Sequence, residues 1–151
     1  VGYNYHLSDI SSALVLSQLG RVGETLRKRA SVAEMYTRAL RGVPDICLLK
    51  EPPDVKMSWF IYLVRLGDRY TRRDRDSIIE FLSRKGVVAR IYFPPIHYQK
   101  VFREKLGYNA GDFPVTEHIS FRALALPFHA NLKKDEVEYV VKHFKEALKA
   151  V

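Results

Sequence analysis

Val1-Gly2-Tyr3-Asn4-Tyr5-His6-Leu7-Ser8-Asp9-Ile10 opens the chain and leads into a long helix. Ser8 is a good N-cap, and Asp9 places a negative charge in the first turn, where the helix dipole favours it. Apolar residues then recur in three- and four-residue steps: Ile10, Ala13, Leu14, Leu19, Val22, Leu26, Ala30, Ala33, Tyr36 and Leu40. That spacing predicts one buried face of an amphipathic helix. Unbroken from Asp9 to Leu40, it would run on the order of 45 Å. Gly20 and Gly23 are its weak points, each costing about 1 kcal/mol against Ala, and a kink is expected there. A helix this long outruns a small domain and is expected to bridge two bodies, either two domains or two subunits.

The 151 residues are one domain's worth of chain, and the 47% hydrophobic fraction allows a real core. The single cysteine, Cys47, excludes an internal disulfide and a cysteine-only metal site. Lying between Ile46 and Leu48, it reads as a buried structural thiol. No stretch approaches the roughly 20 apolar residues of a membrane helix, and no signal-peptide pattern is present. A cytoplasmic setting without membrane contact fits. The first residue is Val, not Met, so processing or membership of a longer chain is left open. The net charge of +8 invites an anionic partner. Its cations are spread along the chain, with local clusters at Arg27-Lys28-Arg29 and Arg72-Arg73-Asp74-Arg75. Aromatics do not interleave with them as in an RNA-binding motif, so nucleic acid is not expected.

Past the helix, Gly42 is a natural stop. Pro44, Pro52 and Pro53 punctuate an irregular or extended passage with an apolar run from Ile46 to Leu49. Trp59 to Leu66 is the strongest strand signal, rich in β-branched and aromatic residues and without Gly or Pro. Asp74 caps a helix reaching about Lys85, and Gly86 stops it. Val87 to Tyr92 reads as a second strand, broken by Pro94-Pro95. A loop with a short helix follows from Ile96 to Leu106. Pro114 suits the first turn of a helix to about Arg122. Ala123 to Leu126 is a short strand, and a last helix spans about Lys133 to Ala150. Strands alternating with single helices predict a small sheet covered on one face by helices. Strand order and direction do not follow from periodicity.

Four stretches, in order, resemble one family. Gly2-Tyr3-Asn4-Tyr5 with Leu7-Ser8-Asp9-Ile10 and Ala13 resembles the signature of the DegT/DnrJ/StrS sugar-nucleotide aminotransferases. Ser58-Trp59-Phe60-Ile61-Tyr62 is similar to a strand of that family. The segment Gly86-Val87-Val88-Ala89-Arg90-Ile91-Tyr92-Phe93-Pro94-Pro95-Ile96-His97 resembles its proline-histidine loop. Leu126-Pro127-Phe128-His129, with Leu132 and Glu136-Val137, resembles its closing motif. The resemblance implies the C-terminal portion of a pyridoxal-phosphate (PLP) enzyme. It implies an α+β fold: a long N-terminal helix, then a small, largely antiparallel sheet covered by helices. Residues 1–42 would be a bridging helix with a cross-subunit cofactor segment, and residues 43–151 the small domain. A homodimer is implied, with a nucleotide-linked keto-deoxysugar and an amino donor such as glutamate as substrates, in polysaccharide or glycan biosynthesis.

Candidate site residues follow. The Asn4 amide offers two donors and an acceptor on a short stem, although Asn also favours turns before helices. By resemblance it reaches the PLP phosphate of the neighbouring subunit. His6 stands where the family usually has Arg. Neutral His cannot form the bidentate fork that Arg makes with phosphate, and its charge would vary with pH. His97 follows Pro94-Pro95 in a stiff loop, which the resemblance sets at the mouth of the substrate pocket; it reads either as a substrate contact or as a structural hydrogen bond. Arg90 and Tyr92, on the strand leading in, are further substrate candidates, and Arg90 has a buried carboxylate as its alternative partner. Trp59 and Tyr62 read as core. His118, His129 and His143 are scattered without metal-ligand spacing, so no metal site is expected.

A PLP enzyme needs a Schiff-base lysine, an acid at the pyridine nitrogen and a phosphate cup. The resemblance puts all three upstream of Gly2. No lysine here stands in that context, the first being Lys28, and no serine elbow or Cys–His pair supplies another chemistry. The chain alone is expected to be inactive. A free-standing interaction module that kept the fold without the chemistry is the competing reading, and a basic nucleic-acid binder a third.

Overall fold

A computed structural model describes Gly2, Tyr3 and residues 5–151. Val1 and Asn4 lie outside the described residues. The opening helix forms in two pieces, α1 (Asp9–Leu19) and α2 (Val22–Leu40), interrupted at Gly20–Arg21. Ser8 caps α1, its hydroxyl accepting from the Ser11 amide at 3.3 Å. The expected buried stripe is realised only in the second half. Val32, Ala33, Tyr36 and Leu40 are buried, whereas α1 buries no residue. The apolar side chains of α1 run right round it, through Leu14, Val15 and Leu16, and no described element packs over them.

The sheet has four strands: β1 (Ile46–Leu48), β2 (Tyr62–Leu66), β3 (Arg90–Ile91) and β4 (Ala123–Leu126). They lie in the order β1-β2-β4-β3, and every neighbouring pair is antiparallel. This is the expected fold class. In β2 burial alternates: Tyr62, Val64 and Leu66 are buried, Leu63 and Arg65 only half so. One face of the sheet therefore carries the core, built with α2, α3 (Arg72–Arg84) and α6 (Lys134–Lys149). Three aromatic rings stack inside it, Tyr36 on Tyr62 at 4.8 Å and Trp59 on Tyr62 at 5.8 Å between centroids. Trp59 and Tyr62 are core residues, as expected.

Several boundaries differ from expectation. The strand predicted from Trp59 begins at Tyr62, because Trp59 turns through a positive φ of 44° to bring its ring inward. The strand predicted over 87–92 shrinks to Arg90–Ile91, the only residues of that segment with partners on β4. The passage after Gly42 contains a strand, β1, and its pleat turns Cys47 outward between half-buried Ile46 and Leu48. The thiol is thus exposed, not buried, and accepts from Arg65 Nη2 at 3.0 Å. In α3 the cap is Thr71, one turn before the expected Asp74. Asp74 completes a capping box, taking the Thr71 amide at 2.7 Å.

Candidate functional site

The proline-histidine segment runs along the β3 edge of the sheet. Arg90 pairs across the ladder with Ala125, which itself pairs with Leu63. Residues in register share a face, so Arg90 lies on the face opposite the helices. It is exposed, and the alternative pairing with a buried carboxylate is not formed. Tyr92, two residues on, is 38% exposed and sets its ring edge-on to Phe93 at 4.7 Å. Both are open to solvent on one stretch of chain. His6 is exposed in the extended segment before α1, and Asn4 lies outside the described residues.

His97 behaves differently. It sits in a 3-10 turn over Ile96–Tyr98, is only 6% exposed, and its ring lies between Tyr98 (4.5 Å) and Phe113 (4.8 Å). Its Nε2 is 2.9 Å from Glu117 Oε1. The structural hydrogen bond expected as one of its two roles is formed. The same Glu117 oxygen accepts the Gly111 amide at 2.8 Å. Burial tends to raise the Glu117 pKa, but the Gly111 amide, the Tyr98 hydroxyl, His97 and the Phe113 backbone outweigh it, and the carboxyl titrates below its ordinary value. An ionised Glu117 makes Nε2 the donor. A cleft of about 390 Å³ opens beside the ring, with Ile96, Phe102, Tyr108 and Phe113 in its walls.

Sequence reasoning passed over Glu117. It stands on α5 (Pro114–Arg122), where an acid in the first turn is ordinary for a helix. Its function as a junction depends on Gly111 and His97, six and twenty residues away, and no local pattern encodes that meeting. Arg75 entered the sequence reading only as part of the basic Arg72-Arg73-Asp74-Arg75 cluster, with no buried role expected. It is 1% exposed on α3, with two nitrogens on Asp76 Oδ1 and Nη1 donating to the Ser120 carbonyl at 2.9 Å.

A phosphate is best held by free amides at a helix N-terminus. Here α1, α2, α3, α5 and α6 each carry an acid in the first turn: Asp9, Glu24, Asp74, Glu117, and Asp135 with Glu136, whereas the short α4 (Lys100–Leu106) carries none. Lys28, the first lysine, holds Glu24 at 2.6 Å on the surface of α2. Among the described residues no group of three or more His, Cys, Asp or Glu is placed to hold a metal, and no helix is long and apolar enough to cross a membrane.

The α+β architecture and sheet order set the fold, and the match to a family model sets the class. The class is that of the DegT/DnrJ/EryC1/StrS aminotransferase family, whose family model matches residues 1–145, and the chain belongs to it. Among curated relatives, the uncharacterized protein MJ1066 of Methanocaldococcus jannaschii is 26% identical over 145 residues, covering 96% of this chain. The spore coat polysaccharide biosynthesis protein SpsC of Bacillus subtilis is 24% identical over 149 residues, covering 98%. The chain spans 38% of the length of each of them. Among solved structures, Helicobacter pylori PseC, an aminotransferase involved in the biosynthesis of pseudoaminic acid, superposes with a TM-score of 0.87 at 24% identity, over 100% of this chain and 40% of PseC. The aminotransferase TlmJ from Streptoalloteichus hindustanus gives 0.81 at 26% identity, over 94% of this chain and 37% of TlmJ.

Proposed function

We propose that this chain is the C-terminal region of a PLP-dependent sugar-nucleotide aminotransferase. The whole protein transfers an amino group, from glutamate by preference, to a keto carbon of a nucleotide-linked deoxysugar for polysaccharide or glycan assembly. The observation that carries the reading is the family match over residues 1–145, in a chain that spans well under half of its relatives. The resemblance supports the same reading, since it puts the lysine, acid and phosphate cup upstream of Gly2.

In this reading residues 1–42 bridge to that other part and residues 43–151 form the small domain. Asn4 reaches the phosphate of PLP held by the neighbouring subunit of a cytoplasmic homodimer. Arg90 and Tyr92 face the sugar nucleotide from the open side of the sheet. Arg90 is suited to a diphosphate, having a planar, always charged guanidinium that no carboxylate has claimed. His6 adds a weaker, pH-dependent contact in place of the usual Arg.

The test uses the full-length protein and this chain side by side. The full-length protein with PLP aminates a nucleoside-diphosphate-linked keto-deoxysugar at the expense of glutamate, and this chain alone shows neither turnover nor a PLP absorbance band. Asn4→Ala in the full-length protein weakens PLP retention without lowering the folded yield. Turnover by the isolated chain, or full-strength PLP binding by Asn4→Ala, would refute the assignment.

A further inference from the structure

Helix α5 is tied to the rest of the molecule at two levels. Below it, the buried Arg75 of α3 donates to the Ser120 carbonyl. Above it, two side chains one turn apart hold the proline-histidine segment. Ser120 Oγ donates to the Phe93 carbonyl at 2.7 Å, and Glu117 Oε1 takes His97 Nε2 and the Gly111 amide at once. Phe93 and His97 bracket Pro94-Pro95, whose rings already fix φ. With both ends of the proline pair clamped, the segment has little freedom, and Arg90 and Tyr92 just before it inherit that placement. The Gly111 contact ties in the 107–113 loop as well.

A carboxylate in the first turn of a helix commonly serves its own N-terminus, and this one engages the Phe113 backbone there, but it also serves two other segments. Glu117 is only 13% exposed at its side chain, and His97 beside it 6%. We infer that Glu117 is a positioning residue for the sugar-nucleotide site: through His97 and Gly111 it fixes the proline turn that aims Arg90 and Tyr92 at the nucleotide-linked sugar. The inference rests on the functional reading above. It gives His97 an indirect role, with its ring as the spacer between Glu117 and the turn.

A positioning role acts on one substrate only. The proposed role concerns the sugar nucleotide and not the amino donor, so the two half-reactions separate the effects. In the full-length protein, Glu117→Ala raises KM for a nucleoside-diphosphate-linked keto-deoxysugar about ten-fold, with kcat and the glutamate half-reaction held within about two-fold. Glu117→Gln restores most of the loss, because an amide oxygen still accepts from His97 and Gly111. Ser120→Ala, which frees only the Phe93 carbonyl, raises the same KM by a smaller factor, and it keeps the test alive should Glu117→Ala fail to fold. Loss spread equally over both half-reactions in step with a lowered Tm, or an unchanged sugar-nucleotide KM in both the Gln and Ser120→Ala variants together with a failure of Gln to differ from Ala, overturns the inference alone. A wild-type protein that aminates no nucleotide-linked keto sugar overturns the functional reading, and this inference with it.

Discussion

Tyr36 packs its ring on Tyr62 at 4.8 Å while its hydroxyl donates to the Pro127 carbonyl at 2.8 Å, joining α2 to the end of β4. Tyr36→Phe keeps the ring and strands that carbonyl, at a cost of about 1–2 kcal/mol in denaturant unfolding. Burial, then the neighbouring Tyr62 and Glu136, push the Tyr36 phenol far above its ordinary 10.0. A folded value raised in this way contributes stability that is complete below the unfolded value and disappears as pH rises toward the folded one. Stability is therefore expected to fall above about pH 10, and Tyr36→Phe should flatten that decline. An equally steep decline in the variant would remove Tyr36 as its source. The role of Tyr36 in a buried face was legible from helical spacing. The environment of Cys47 was not, because its apolar neighbours read as burial while a two-residue pleat governs the segment. Its thiol is expected to react in the folded chain without denaturant.

At the scale of elements, the glycines separate what the helix tolerates from what the sheet edge does not. A Cβ on Gly67 would stand 3.0 Å from the Asp45 carbonyl oxygen and 3.3 Å from its carbon, at the tight crossing beside β1 and β2. The Gly67 amide also donates to that oxygen at 2.7 Å, so the crossing cannot open freely. Gly67→Ala is expected to cost about 1–3 kcal/mol. Gly23 lies in α2 with only a flexible Arg27 tip at 3.6 Å, and Gly23→Ala is expected to gain about 0.5–1 kcal/mol. Opposite signs in chemical denaturation support this account, and two changes of the same sign contradict it. Helices were the readable part of the sequence because caps and stops are local: Ser8, Gly42 and Pro114 announced their ends. The break between α1 and α2 also followed from its glycines. Strand edges were less readable, since β3 exists only where β4 offers partners and β2 begins only after the turn at Trp59. The candidate site divided in the same way. Arg90, Tyr92 and His97 sit in a motif that made them candidates, whereas Glu117 acquires its meaning from contacts across the fold.

The whole molecule exposes more surface than a self-sufficient domain of its size. A compact monomer of 17.5 kDa has about 7,900 Å² of accessible surface, and this chain has 10843 Å². The surplus, about 2,900 Å² on this one chain, would be about 5,800 Å² counted over two partners, at the upper end of what obligate interfaces bury. Much of it is apolar and lies at one end: Ile10 is 86% exposed, Leu14 63% and Leu16 74%, with Tyr5 and Leu7 just before them. Proteins that stand alone rarely show a contiguous apolar patch of this extent. In the proposed full-length protein, α1 is the surface that meets the other domain or subunit. In this chain nothing described covers it, so burial against another copy is the favourable alternative, and the chain is expected to associate as its concentration rises. Replacing Ile10 and Leu14 together by Glu removes apolar area from α1 without touching the core of α2, α3, α6 and the sheet. The pair should leave the chain monomeric by sedimentation at concentrations where the wild type is not, with an unchanged unfolding midpoint measured at high dilution. In the full-length protein the same pair should instead weaken assembly, because there the face has a native occupant to lose. A wild-type chain that stays monomeric at every accessible concentration would mean that α1 finds cover within its own chain, and the surplus surface would then need another explanation than a missing neighbour.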